Sequence, residues 1–215
     1  MVMWMSILEA VAKKKNKAEA LAERVIRNPR SLPELLEGVS SDRADIKFKS
    51  AKILRIISEE SSELLYPKWD FFVKLLDCEN NIIKWNAMDV IANLTRVDSK
   101  NRFDKIFRKF YGMLYEGSLI TAGHVVGNSW KIAKAKPSLS SRITSELLKV
   151  EKIPLPTEEC RNILKGHAIL SFSEYFDQIK EKGKIISFAR RELKNTRNAT
   201  RSKAEKFLKK FEGIK

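Results

Sequence analysis

Cysteine and histidine are nearly missing from this chain of 215 residues, which has two of each. Cys78 and Cys160 are far apart and in no metal-ligand spacing, so they read as buried free thiols of a protein in a reducing cytosol. Neither His124 nor His167 has a second ligand three or four residues away, and no metal centre is expected. Glycine is also sparse, at eight residues, and no Gly-rich phosphate loop, G-x-G-x-x-G turn, G-x-S-x-G elbow or H-E-x-x-H pair occurs. Those absences argue against nucleotide-dependent, zinc-dependent and serine-hydrolase chemistry. No cofactor is expected, and no residue is assigned as catalytic. Long apolar runs are missing too. The nearest, MVMWMSILEAVA at the N-terminus, is interrupted by Glu9 and followed by Lys13, Lys14 and Lys15 instead of preceded by them. It reads as a first helix, not as a membrane span or a cleaved signal.

Positive charge, in contrast, is abundant. The formal net charge is +15, and residues 131–215 hold 21 Lys/Arg against 10 Asp/Glu. Within that stretch, residues 180–215 carry 13 basic and 4 acidic side chains. A basic end of this kind favours acidic or polyanionic partners. The plainer reading is a solvated face that keeps the protein soluble. Hydrophobic residues make up 43% of the chain, enough for a packed core, and the length fits one domain.

The dominant signal is an internal repeat. Proline opens three segments, NPRSLPELLEGV, YPKWDFFVKLLD and KPSLSSRITSELLKV, and Pro29 and Pro67 lie 38 residues apart. A fourth segment, NRFDKIFRKFYGML, lacks the proline and keeps the pattern. Apolar residues recur at helical spacing in each: Trp69, Phe72, Val73 and Leu76; Phe103, Ile106, Phe107 and Phe110; Leu139, Ile143, Leu147 and Val150. Proline in a first helical turn loses no hydrogen bond, so these are helix starts. Between them a second set of helices aligns. KWNAMDVIANLT fits ITAGHVVGNSWK, pairing Ala87 with Ala122, Val90 with Val125 and Asn93 with Asn128. KFKSAKILRIIS fits as well, placing Ile53, Leu54 and Ile57 opposite Val90, Ile91 and Leu94. Four or five helix pairs follow. Pro154 and Pro156 mark the one expected break between sub-modules. Gly123 and Gly127, four apart on a helix, are read as sites of close packing.

This pattern resembles the HEAT and armadillo-like family of α-solenoids. The resemblance covers about Asn28 to Phe211 and implies an all-α fold, a right-handed solenoid of antiparallel helix pairs. Such a pair cannot bury its apolar face alone, so each repeat leans on its neighbours and the ends need caps. The expected organisation is a single domain, 1–215. Residues 1–28 form N-terminal capping helices, 29–196 the repeats, and 197–215 a basic C-terminal cap. In that cap Ala204, Phe207, Leu208 and Phe211 face inward, and Lys203, Lys206, Lys209 and Lys210 face out.

Candidate contact residues come from the second helices. The position of Asp89 is Lys52 in the preceding repeat, His124 in the next and Lys206 in the last, so it is polar nearly every time and flanks the core stripe. In a solenoid that flank lines the concave groove. The expected partner-binding residues are therefore Trp85, Asp89, Asn93, His124, Asn128 and Trp130, with Arg96 and Lys131 extending the surface. Aromatic residues and arginines often anchor protein interfaces. The leading reading is a non-enzymatic scaffold or protein-binding module of the cytoplasm. For polyanions the candidates are Arg190, Lys194, Arg197 and Arg201, which would track phosphates. Alternatively Arg197, Arg201 and Lys209 pair with Glu205 along their helix faces. Trp85 and Asp89 also match the W-x-x-x-D spacing of the alkylpurine DNA glycosylases built of HEAT-like repeats. That more distant resemblance implies release of an alkylated base, with the aspartate stabilising developing positive charge. An arginine one repeat further on completes that family's site, and here the position is His124. A basic nucleic-acid-binding solenoid of this type is the alternative reading.

Overall fold

The computed structural model describes residues 6–211, and every regular element among them is helical. Two compact units divide between Ser99 and Lys100. The Pro154–Pro156 segment, the expected break, lies instead inside the second unit. The reason is burial: Ile153 and Leu155 are 1% and 6% exposed, and Arg161 Nη1 donates to the Leu155 carbonyl at 3.2 Å. Two prolines stiffen the segment without freeing it from the core.

The first described helices, α1 (Ile7–Ala12) and α2 (Ala18–Arg27), are both short. Residues 1–5 of the expected N-terminal cap lie outside the described residues. Ser6 caps α1 by accepting from Leu8 N, and its hydroxyl donates to Glu34 across the unit. Next come α3 (Leu32–Gly38) and α4 (Ala44–Glu60), then the single turn α5 (Ser62–Leu65), α6 (Trp69–Leu75) and α7 (Asn81–Leu94). Short 3-10 turns containing Pro29 and Pro67 lead into α3 and α6, so proline opens the first helix of each pair. The second helices stack, α2 on α4 and α4 on α7. Their shared seam is Ile53, Leu54, Ile57, Val90, Ile91 and Leu94, each at most 1% exposed. Burying one such side chain contributes roughly 1.5–3 kcal/mol, so the stripe is the main stabilising element. Gly38 lets α3 approach closely: a Cβ there would overlap the Ser50 hydroxyl and lie 2.6 Å from Leu8 Cδ2.

A polar clamp fixes the register of this stack. Asn93 Nδ2 donates to Ser58 Oγ at 2.9 Å, and Ser58 Oγ donates to the Arg55 carbonyl at 2.6 Å. Ser62 Oγ donates to the Ser58 carbonyl at 2.6 Å and accepts from Arg96 Nε at 2.7 Å. Arg96 reaches further, donating to the carbonyls of Ser58 and Glu59 in the last turn of α4. A guanidinium at that end satisfies orphan carbonyls and opposes the negative pole of the helix. Arg96, expected to extend a binding surface, is thus a structural clamp.

The second unit contains α8 (Arg102–Gly112), α9 (Leu119–Ala135), α10 (Ser140–Leu147), α11 (Glu158–Tyr175), α12 (Lys182–Glu192) and α13 (Asn198–Phe211). In chain order they alternate as first and second helices, and again the second helices stack, α9 on α11 and α11 on α13. Helices α9 and α11 start at Ser118 and Thr157, whose hydroxyls accept from Thr121 N and Cys160 N. Where α8 lacks its proline, Asn101 takes its place with φ 50°, a left-handed turn, and its Oδ1 accepts from buried Lys136 Nζ at 2.6 Å. Phe103, Phe107, Phe110 and Tyr111 pack edge to face or tilted on one side of α8. Tyr111 OH donates to Ser129 Oγ of α9 at 3.1 Å. Desolvation pushes that phenol far above the ordinary tyrosine range.

The last described helix turns its expected apolar set inward. Ala204, Phe207, Leu208 and Phe211 of α13 are buried, and Phe176 meets Phe207 and Phe211 with ring centroids 5.3 and 4.4 Å apart. Lys203 departs from the outward set. Its aliphatic stem lies against Gly166 of α11, where an added Cβ would be 3.3 Å from Lys203 Cδ and 2.9 Å from Thr200 Oγ1. Desolvation, then the nearby Arg197, lowers its ammonium pKa. Both cysteines are free, but each is half-buried, not fully enclosed as expected.

Two outcomes are expected from this packing. Asn93→Ala leaves the Ser58 hydroxyl without its donor and should cost about 1–3 kcal/mol in a urea melt. Deleting residues 197–215 should expose the α11–α12 face and give an insoluble or non-cooperatively melting product, checked by size exclusion and circular dichroism.

Candidate functional site

On α7 the expected contact residues separate into two kinds. Trp85 and Asp89, at i and i+4, are both half-buried and share a face with exposed Ile82, three residues before Trp85. Asn93 is 7% exposed, and its side-chain amide is held in the Ser58 clamp. Position 52 on α4 behaves as the repeat predicts: Lys52 is exposed and pairs with Glu19 of α2 at 3.0 Å. The series Lys52, Asp89, His124 and Lys206 is nowhere buried. Its alanine neighbours Ala51, Ala87 and Ala122 all are.

In the second unit a surface runs along α9 and α11. His124 and Trp130 are half-buried on α9, and Lys134 Nζ lies 4.8 Å from the Trp130 ring while pairing with Glu174 of α11 at 3.0 Å. Lys131, next to Trp130, is half-buried as well. Asn128 is 5% exposed and donates back to the His124 carbonyl at 2.9 Å. Gly127 is exposed with nothing within 4 Å of an added Cβ, and close packing does not explain it. The closely packed glycine of this unit is Gly166, on α11.

Sequence reasoning missed several members of this surface. Ile120 and Leu170 are 54% and 49% exposed, large aliphatics left on α9 and α11. They were hidden by their type, because an isolated aliphatic on a helix is assigned to the core stripe. His167 was recoverable: the Gly-His pair of Gly123–His124 recurs as Gly166–His167, and the His167 ring lies 3.7 Å from a Cβ built on Gly123.

The basic end is less available than its composition implies. Arg197 pairs with Glu159, and Arg201 Nη1 donates to the carbonyls of Asn195 at 2.6 Å and Thr196 at 3.0 Å. Neither Arg197 nor Arg201 uses Glu205, the acceptor expected for them. Both instead lock the α12–α13 loop. There Asn162 Nδ2 donates to Thr196 Oγ1, Asn195 Nδ2 donates to Glu192, and buried Glu192 pairs with Lys165 at 3.3 Å. Arg190 and Lys194 remain exposed. Among the described residues no group of three or more His, Cys, Asp or Glu is placed to hold a metal, and no helix is long and apolar enough to cross a membrane.

His167 gives this surface a measurable signature. Burial, and then the positive charges of Lys203 and Arg197, hold its pKa below the usual imidazole value. The unfolded chain therefore takes up the proton first, and stability present above about pH 6.5 declines as pH falls through the folded value. Histidine NMR titration should show a depressed midpoint for His167, and His167→Gln should flatten the acid side of the stability profile.

Comparison of the sequence with protein-family models and with curated proteins gives no match. Solved structures do match in fold. A designed armadillo repeat protein in complex with the peptide (KR)4 aligns with a TM-score of 0.58 at 14% identity, over 95% of this chain and 98% of that one. A second designed armadillo repeat protein aligns at 0.53 and 14% identity, covering 94% and 97%. An engineered protein aligns at 0.57 and 13% identity, covering 96% of both chains. The chain has the all-α, armadillo-like solenoid fold that its repeat implied.

Proposed function

We propose that this protein is a peptide- or protein-binding scaffold of the cytosol whose partner is acidic. The observation carrying the reading is the fold, shared across nearly the whole chain with a designed armadillo repeat protein that holds a peptide. Half-buried Trp85 beside exposed Ile82 on α7, and Trp130 with Ile120 and Leu170 in the second unit, supply the aromatic and aliphatic anchors that interfaces use. Partner sign follows from charge. The neighbour's peptide alternates lysine and arginine, whereas this chain carries +15 and would repel such a ligand. Asp89 then acts as a groove residue, one of a polar series.

The test is fluorescence titration of the full chain with a glutamate-rich peptide, with (KR)4 and with duplex DNA at low salt. The acidic peptide should bind, and Trp85→Ala or Trp130→Ala should weaken it about tenfold or more, the usual loss for an interface anchor. Tighter binding of (KR)4 or of duplex DNA would overturn the reading. So would release of a methylated base that Asp89→Asn abolishes.

A further inference from the structure

The first helices of the second unit carry a feature that the repeat pattern did not announce. Between α8 and α10 lies an open cleft of about 370 Å³. Its walls include Phe107, Tyr111 and Tyr115 on the aromatic side, and Arg108 and Arg142 one from each helix. The two arginines are 34 residues apart in sequence, so each of two successive repeats contributes one.

What distinguishes these arginines is what they lack. Arg161, Arg191, Arg197 and Arg201 of the same unit all donate to oxygen acceptors, two of them to glutamates on other helices. Arg108 and Arg142 have no acceptor and no carboxylate partner among the described residues, and both are exposed. Arg142 is nonetheless held in place, its guanidinium carbon 4.0 Å from the centroid of Phe107. Stacking restrains the plane of the fork and leaves its N–H donors unused. A planar guanidinium with free donors matches a carboxylate or phosphate, which can accept two parallel hydrogen bonds.

The rest of the cleft suits such a group attached to a peptide. Tyr115 is 45% exposed and offers a ring to an adjoining residue, while Tyr111, buried with its hydroxyl bonded to Ser129, backs the cleft from below. Gly112 leaves one stretch of wall without a side chain, with nothing within 4 Å of an added Cβ. Glu146 is the one acidic lining residue, and it is paired with Lys149 at 2.8 Å, which offsets its repulsion. The volume falls within the range of about 300–1,000 Å³ found for small-ligand pockets, room for one or two side chains.

We propose that this cleft captures the anionic side chain, carboxylate or phosphate, of an acidic peptide segment, with Arg108 and Arg142 as the oxyanion clamp and Tyr115 against the neighbouring residue. The inference deepens the acidic-partner reading by naming where the partner's negative group is held.

The experiment is fluorescence anisotropy with three labelled peptides, one alternating glutamate and tyrosine, its phosphotyrosine counterpart, and one alternating lysine and tyrosine. Either acidic peptide should bind the full chain, and the stronger of the two identifies carboxylate or phosphate as the natural group. Arg108→Gln and Arg142→Gln should each weaken it about tenfold at unchanged Tm, and Arg142→Lys should fail to restore it, since an ammonium lacks the fork. Wild-type affinity in both glutamine variants overturns the cleft assignment. If Trp85→Ala and Trp130→Ala weaken binding in the same assay, the scaffold reading survives that failure. Inorganic phosphate binding as tightly as the phosphopeptide would overturn peptide docking. Absence of binding by every peptide would sink both readings together.

Discussion

Everything in each unit depends on the inability of a single helix pair to hide its own apolar face. A pair of this length has one stripe against its partner helix and another with nowhere to go, so the next pair must cover it. The second helices meet this demand, α4 on α7 in one unit and α9 on α11 on α13 in the other. Small residues follow from the same constraint. Ala87, Ala122 and Ala204 are buried in the stripe, and Gly38 and Gly166 sit where any side chain would push neighbouring helices apart.

Apolar stacking has little preference for register, because one leucine contact is nearly as good as another a turn away. Direction comes from polar groups placed at the helix ends. Ser58, Ser62, Asn93 and Arg96 tie the end of α4 to the end of α7, and Asn162, Glu192, Asn195 and Thr200 tie the α12–α13 loop to α11. Buried hydrogen-bonding groups left unpaired cost more than they contribute when paired. A slip of one turn would orphan several at once, so the clamps penalise wrong registers more than they stabilise the right one.

Most of the fold was legible because its signal is periodic. The apolar stripes, the prolines opening first helices and the inward set of the last helix all follow from spacing, and spacing survives without knowledge of neighbours. Side-chain engagement was not legible. Asn93 and Asn128 sit at corresponding positions in two copies of the repeat, which suggested a shared surface. Both side chains are buried instead, and their amides donate inward, one to Ser58 and one to the His124 carbonyl. Arg96 reads as a surface cation in sequence, and only the positions of the α4 carbonyls reveal it as a clamp. Ile120 and Leu170 were hidden for the opposite reason, since residue type alone assigns them to the interior.

Arg197, Arg201 and Lys203 carry a further consequence. A formal charge counts residues and sets the long-range attraction, whereas close recognition depends on the donors that still lack an acceptor. Arg197 faces a glutamate, Arg201 is spent on two carbonyls, and Lys203 lies with its stem across a glycine. Much of the cationic density near the start of α13 is therefore mortar: it holds a loop to a helix, and its donors are largely engaged before a ligand arrives. The long-range field still counts every one of these charges, but the hydrogen bonds left for a ligand near the start of α13 are fewer than the sequence advertises.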